Sequence, residues 1–288
     1  MINSLGKKFL EALTIEKPLR IIGTQNAYLA LLAKREGYKA LYLSGAGVAN
    51  VSYGLPDLGM TTLDNVLEDA RRIIEATNMP LLVDIDTGWG GSLMITRTIE
   101  KMCRIGVAAV HIEDQVFAKR CGHREGKLLV SKQEMCERIY AAKEGRLDSD
   151  FTIMARTDAL GIEGLKSTID RCLSYRDAGA DMIFVEAATT GADYRALKEA
   201  VKIPILANMT EFGKTPLMTV EELSEFGVDI VLYPLTLMRA MNKTALHVLR
   251  TLKKEGTQKE LLKEMQTRDE LYETLDYLKW EERQRYHR

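Results

Sequence analysis

The sequence predicts an α/β protein of the (β/α)8 TIM-type barrel class, and three observations carry that expectation. Eight short apolar runs recur along the chain, amphipathic stretches of helical length lie between them, and most runs end in charged or amide side chains. Near-continuous apolar runs suit parallel strands covered on both faces. Strand followed by helix, repeated in this way within one domain's length, closes into a barrel whose chemistry gathers at the C-terminal rim of its strands. A doubly wound open sheet is the alternative, and the number of runs and the lack of a GxGxxG turn weigh against it.

In chain order the runs are LRIIGTQ (19–25), ALYLSG (40–45), PLLVDIDTG (80–88), AAVHIEDQ (108–115), FTIMARTD (151–158), DMIFVEA (181–187), PILANMT (204–210) and DIVLYPL (229–235). Residues 1–17 read as an amphipathic helix before the first strand. Stretches such as TLDNVLEDARRIIEA and GLKSTIDRCLSYRDAG supply the outer helices. Gly37, Gly106, Gly145, Gly179 and Gly227 stand where helix C-caps fall, and Ser131 with Glu134 and Thr219 with Glu222 have capping-box spacing. No linker divides the chain, so residues 1–288 form one domain. The tail after Gly256 is helical and highly charged, with leucines too sparse for a long coiled coil. It is expected to pack on a neighbour or on the outside of the barrel.

The totals narrow the function classes. A chain of 288 residues, 46% hydrophobic and 28% charged, can bury a sizeable core. Its formal net charge of −1 provides no overall field for nucleic acid or an anionic membrane, so any anion site is local. No apolar run approaches the roughly 18 residues that span a bilayer, and the start MINSLGKKFLEAL lacks signal-peptide features. The four cysteines (Cys103, Cys121, Cys136, Cys172) include no CxxC pair, so neither a zinc cluster nor a disulfide framework is signalled. A reducing cytoplasm is the expected location.

The polar ends of the runs are the functional signal. They carry Gln25, Ser44, Asp84 with Asp86, His111 with Glu113, Arg156 with Asp158, Glu186, Asn208 with Thr210, and Tyr233. Spacing of i, i+2 puts both side chains of a pair on one strand face. Interior polar layers or caps would account for one such strand, but poorly for so many meeting at one rim. In DIDTGWGG (84–91), two carboxylates beside a glycine turn suit Mg²⁺, which keeps much of its water and is completed by substrate oxygens; capping or ion-paired aspartates are the plainer reading. Beside a hydroxyl or carbonyl such an ion acts as a Lewis acid, and Glu113 could help hold its waters. Arg156, Arg239 and Arg268 can clamp carboxylates in bidentate fashion, and SGAG (44–47) offers a hydroxyl and backbone N–H groups. His247 and His287, in charged helical surroundings, are expected to be solvated.

Residues 115–130 form a long polar connection, of the kind that often acts as a lid. Within it, FAKRCGHREGK (117–127) sets Cys121 among Lys119, Arg120 and His123. A thiol beside cations ionises more easily and can exchange a proton with carbon or attack as a nucleophile. An incidental thiol in a phosphate-contacting basic patch is the alternative, and a Cys-x-His metal site lacks further soft ligands. Metal, anion clamps and an acid–base thiol together point to chemistry on a polycarboxylate skeleton, without naming the substrate.

KRCGH after HIEDQ, with DIDTGWG before it and LPDLGMTT earlier, resembles the isocitrate lyase and phosphoenolpyruvate mutase superfamily, and within it the 2-methylisocitrate lyase family, over nearly the whole chain. The mutase and decarboxylase branches lack this cysteine. Isocitrate lyases are usually longer and commonly carry lysine at the position of Arg120. The resemblance implies cleavage of (2S,3R)-2-methylisocitrate to pyruvate and succinate, in the methylcitrate cycle of propionate catabolism. It implies Mg²⁺ (or Mn²⁺) on Asp84 and Asp86, with Asp57, Glu113 and Lys119 supporting the metal site and lid. It implies substrate contacts from Ser44, Gly45, Ala46, Cys121, Gly122, Arg156, Glu186, Asn208, Met209, Thr210, Arg239 and Arg268. Cys121 is the implied proton donor to the succinate carbanion, Tyr42 serves the hydroxyl end, and Glu113, Lys119 and His123 join the catalytic group. An eighth helix exchanged between subunits of a homotetramer is implied as well. Ala46, Trp89 and Phe117 depart from the family's usual glycine, phenylalanine or tyrosine, and small residue. The Trp89 change is expected to keep an aromatic wall. Isocitrate lyase, a carbon–phosphorus or decarboxylase relative, and a catalytically silent dicarboxylate binder are the competing readings.

Overall fold

In the computed structural model, which describes residues 4–285, all eight runs become strands: β1 (Leu19–Gly23), β2 (Ala40–Leu43), β3 (Leu81–Asp84), β4 (Ala109–Glu113), β5 (Thr152–Thr157), β6 (Met182–Val185), β7 (Ile205–Asn208) and β8 (Ile230–Tyr233). They pair in parallel and in chain order, and β8 closes on β1 through Ile21 opposite Leu232. Each strand stops short of its run's polar end, so many of the charged residues stand on the loops just above the ladder.

Strand alternation sorts the side chains into two cores. Leu19, Ile21, Tyr42, Leu82, Met154, Phe184, Leu206, Ile230 and Leu232 belong to the barrel interior, with Phe9 and Ala12 packed against them from the helix Leu5–Ile15. Leu41, Leu43, Val83, Val110, Ile112 and Val231 pack into the layer shared with the outer helices. The same parity, carried upward, aims Ser44, Asp84, Glu113, Arg156, Glu186 and Asn208 into the mouth of the barrel. It sends Met209 and Tyr233 the other way, into the helix layer. The expected rim role of the Tyr233 side chain therefore does not hold.

Local punctuation follows the sequence with two exceptions. Gly37, Gly106, Gly179 and Gly227 take positive φ at helix ends, but Gly145 has an ordinary φ of −75°. It is glycine for space, since a Cβ there would lie 2.4 Å from the Thr96 carbonyl oxygen. Thr219 and Glu222 form a full capping box. Ser131 accepts from the Glu134 N–H, whereas the Glu134 carboxylate turns to Arg138 at 2.7 Å, so that box is half made.

The eighth helix, Thr236–Glu255, buries little for its length: of its 20 residues only Met238 is buried. Met241, Leu249 and Leu252 lie exposed along one stripe, and beside the helix's start a groove of about 440 Å³ opens among Ile22, Leu29, Ala33, Tyr38 and Leu237. The tail beyond it returns to the outside of its own barrel. There Tyr28 donates to Gln266 at 2.6 Å and Arg35 pairs with Glu273. Among the described residues no helix is long and apolar enough to cross a membrane.

Candidate active site

A cavity of about 70 Å³ lies at the C-terminal mouth of the barrel, walled by Tyr42, Ser44, Ala46, Asp57, Asp84, Arg156, Phe184, Glu186, Asn208, Thr210, Pro234 and Leu235. Lys119, Cys121, Gly122 and His123 cover it from the lid. This space is small beside the roughly 300–1,000 Å³ of a typical small-molecule pocket.

The paired aspartates reach the site by different routes. Asp84 ends β3, but Asp86 lies in the following loop with a left-handed φ of 48°. Simple i, i+2 projection from one strand is therefore not how the two meet. The turn lets the Asp86 N–H donate to Asp84 Oδ1 at 3.0 Å, while the Gly45 N–H donates to Asp84 Oδ2 at 3.0 Å. A Cβ on Gly45 would sit 3.0 Å from Asp84 Oδ2 and 3.1 Å from Asp86 Oδ1, which brings both carboxylates to one point.

Lys119 reaches down from the lid to Asp57 at 2.5 Å and to Asp86 Oδ1 at 2.8 Å, the latter off the hydrogen-bonding axis. Burial raises the Asp86 pKa to about 6, opposed by Lys119 and reinforced by Asp84. Burial also works against the Asp84 carboxylate, but His111, Lys119 and Arg156 outweigh it and hold its pKa below the usual range. His111 is itself pushed down to about 4 by burial, so near neutral pH the lysine and the arginine do this. Burial lifts Glu113 well above the carboxylate range, and its Oε1 has no hydrogen-bond partner.

Arg156 is the hub of the opposite wall. Its Nε lies 3.0 Å from Asp158 and 3.3 Å from Glu113, and a terminal nitrogen lies 3.1 Å from Glu186. Glu186 also receives Asn208 Nδ2 and the Ala187 N–H, with His123 Nε2 at 3.0 Å. Burial opposes its ionisation, yet Arg156, His123 and Lys127 hold its pKa far below the ordinary value. His123 then accepts from the Lys214 N–H through Nδ1, tying the lid to the loop after β7. Tyr42 hydrogen-bonds His111 Nε2 at 2.9 Å, and burial, then Asp84, keeps its phenol protonated.

Several residues singled out from the sequence stand elsewhere. The Met209 side chain faces the helix layer, so any ligand contact there falls to its backbone. Arg239 is exposed on the eighth helix, where it pairs with Glu211 at 3.4 Å and lies over Phe212. Arg268 is exposed at the start of the helix Arg268–Thr274; neither arginine lines the cavity. Trp89 donates its indole N–H to Thr61 O and borders a neighbouring groove with Met60 and Phe117, so it forms no wall of this cavity. His247 is exposed, as expected, and His287 lies outside the described residues. Lys127, Gln115 and the apolar wall of Phe184, Pro234 and Leu235 are not among the residues that the sequence singles out. Strand parity from Met182 carries a signal for Phe184; nothing local marks the others.

The phosphoenolpyruvate phosphomutase family model matches residues 9–253. A 2-methylisocitrate lyase from Shewanella oneidensis is 57% identical over 98% of this chain and 97% of its own, and one from Escherichia coli is 56% identical over 98% and 96%. Among solved structures, a 2,3-dimethylmalate lyase superposes with a TM-score of 0.90 at 34% identity, covering 98% of this chain and 95% of that one. A phosphonopyruvate hydrolase in complex with oxalate and Mg²⁺ superposes at 0.84 with 25% identity, over 99% and 98%.

Proposed function

The chain belongs to the phosphoenolpyruvate phosphomutase family and is a lyase acting on a small molecule, and from that premise we propose that it cleaves 2-methylisocitrate to pyruvate and succinate with Mg²⁺ in the cytoplasm. One observation carries the reading: the lid thiol Cys121 and the Asp84 carboxylate open on the same cavity, with Arg156 in its wall and Asp86 drawn beside Asp84 at Gly45.

The charge balance of the site favours a cation. Even with Glu113 held neutral by burial, Asp57, Asp84, Asp86, Asp158 and Glu186 outnumber Lys119, Lys127 and Arg156, the permanent cations among the described residues that pair with them. A tricarboxylate cannot join that excess of carboxylates without added positive charge. Among the described residues no cluster of three or more His, Cys, Asp or Glu is arranged to cage an ion. Two carboxylates, with an off-axis Asp86 oxygen and an unpartnered Glu113 oxygen nearby, instead suit hydrated Mg²⁺. Asp84 and Asp86 would hold it, Glu113 and Lys119 would hold its surroundings, and when bound it supplies Lewis-acid stabilisation to the hydroxyl and carboxylate oxygens of the substrate.

The chain's own groups perform the rest. Arg156 binds a substrate carboxylate, and Ser44, Asn208 and Thr210 supply further polar contacts at the mouth. Arg239 and Arg268 stand outside the covered cavity and are given no part in this step. Tyr42 holds the hydroxyl end. As the hydroxyl passes its proton to an ionised carboxylate of the site and becomes the pyruvate carbonyl, the carbon–carbon bond breaks and its electron pair stays on the succinate carbon; that proton returns to the thiolate once the products leave. The Cys121 S–H delivers a proton to that carbon and is left as thiolate. His123 and Lys119 hold the lid closed meanwhile, excluding water from the carbanion.

Phe184, Pro234 and Leu235 give the cavity an apolar side that fits the substrate's extra methyl group. A pocket reads one methylene as about 1–3 kcal/mol, or roughly 10- to 200-fold. A coupled assay is therefore expected to show Mg²⁺-dependent pyruvate from 2-methylisocitrate, with glyoxylate from isocitrate weaker by that factor. Glyoxylate formed with equal efficiency would transfer the chain to isocitrate cleavage.

The exposed stripe of the eighth helix supports exchange of that helix between subunits of a homotetramer. Burying each of Met241, Leu249 and Leu252 is worth about 1.5–3 kcal/mol, a gain the single chain leaves unrealised. Full-length protein carrying Leu249→Glu and Leu252→Glu is expected to elute as a monomer in size-exclusion chromatography, against a tetramer for the parent. Equal elution of the two would reject the exchange.

A further inference from the structure

We infer that Gln115 and Lys127 aim the lid thiol as positioning residues, and that Asp158 couples this aim to the substrate-clamping Arg156. The inference rests on the reading of Cys121 as proton donor.

The peptide units on both sides of Cys121 are held by buried side chains. Gln115, 1% exposed just beyond β4, takes the Arg120 N–H on its Oε1 at 3.0 Å and donates its Nε2 to the Arg120 carbonyl at 2.9 Å. On the other side the Lys127 ammonium donates to the Gly122 carbonyl at 2.5 Å. Between them the Arg124 N–H donates to the Cys121 carbonyl at 2.9 Å and closes a turn. The carbonyls of residues 120, 121 and 122 are thus all engaged, which leaves the thiol side chain little freedom beyond its own rotamer.

Lys127 is fixed in turn. Its ammonium, on a side chain only 6% exposed, lies 2.7 Å from Asp158 Oδ1, and Asp158 is fully buried. The same carboxylate receives Arg156 Nε at 3.0 Å and a terminal Arg156 nitrogen at 3.3 Å. The Asp158 N–H donates to Asp114, which also accepts from Thr157 and Tyr175. One rigid polar stack behind the barrel wall therefore sets both the guanidinium and the thiol. Gln115, Lys127 and Asp158 do not line the cavity, so they act through the groups they hold. Gly122 is compatible with this grip because it has no Cβ; one there would lie 2.4 Å from Arg156 and 2.5 Å from Glu186.

A proton donor on a lid needs such a clamp, because displacing a reacting group by about 1 Å can cost about 10²-fold in rate. The test compares the parent enzyme with Lys127→Met and Gln115→Ala. Both variants are expected to lose about 10²-fold in kcat with KM little changed, and to gain a solvent deuterium isotope effect on kcat as proton delivery becomes limiting. Asp158→Asn, which frees Arg156 as well, raises KM in addition. A second readout is independent of turnover: iodoacetamide labelling of the Cys121 peptide, followed by mass spectrometry with succinate and pyruvate present. Products should protect the parent thiol and fail to protect the two variants. Parent-like kcat and protection in both variants would overturn the inference, as would a rise in KM alone. If Lys127→Met fails to fold, Gln115→Ala decides. A fully active Cys121→Ser would instead sink the proton-donor reading, while the labelling still reports whether the clamp holds.

Discussion

Replacing Cys121 with serine is expected to lower turnover of 2-methylisocitrate by about 10³-fold, within the range for a positioned general acid. The affinity for succinate should stay close to the parent value. The substitution preserves the shape of the side chain and removes its acidity, so it isolates proton delivery from binding. Nothing in the barrel depends on the thiol: it is partly exposed on the lid, while Cys172 is the fully buried cysteine. Turnover and succinate titration should therefore separate cleanly. A loss of less than tenfold would assign the proton to another group, and His123 would be the next candidate by position.

Removing the metal should have an effect of similar size. Lewis-acid stabilisation is worth several kcal/mol, and at 1.36 kcal/mol per tenfold a loss of about 4 kcal/mol is roughly 10³ in rate. Treatment with EDTA should abolish measurable pyruvate formation, and added Mg²⁺ should restore it. Asp84→Asn should not be restored, because it withdraws the carboxylate that the Gly45 and Asp86 N–H groups hold in place. Calorimetric titration with Mg²⁺ checks the same point without turnover: heat of binding in the parent and none in Asp84→Asn. Full activity in EDTA would leave the excess of carboxylates around Arg156 without its counter-charge and would rule out the metal reading.

The lid shows how far local pattern reaches. Its length and the cationic setting of Cys121 are plain in FAKRCGHREGK, because composition and turn chemistry are local properties. That Lys119 bridges to Asp57 and Asp86, that His123 meets Glu186, and that Lys127 meets Asp158 are contacts across 31 to 63 positions of chain. Spacing along a sequence holds no information about such pairs until the barrel closes. Asp86 makes the same point at short range: its neighbourhood was legible, but the left-handed turn that brings it beside Asp84 belongs to the loop's packing.

By itself the sequence determined the eight strands, their order and the rim on which polar groups gather. Those features follow from hydrophobic period, run length and the two-residue alternation of strands, all written in consecutive residues. It also marked Asp84, Asp86 and Cys121 as the candidates for a hard cation and a proton donor, since side-chain type alone limits what can fill those roles. Only the tertiary structure decided which rim residues face the cavity. It turned Met209 and Tyr233 outward, set Trp89 behind a neighbouring groove, and left Arg239 and Arg268 outside the closed mouth. It likewise left the apolar stripe of the eighth helix without a partner on its own barrel. The reason is geometric: closing a sheet fixes the angle at which each strand end meets the centre, and that angle depends on all eight strands at once.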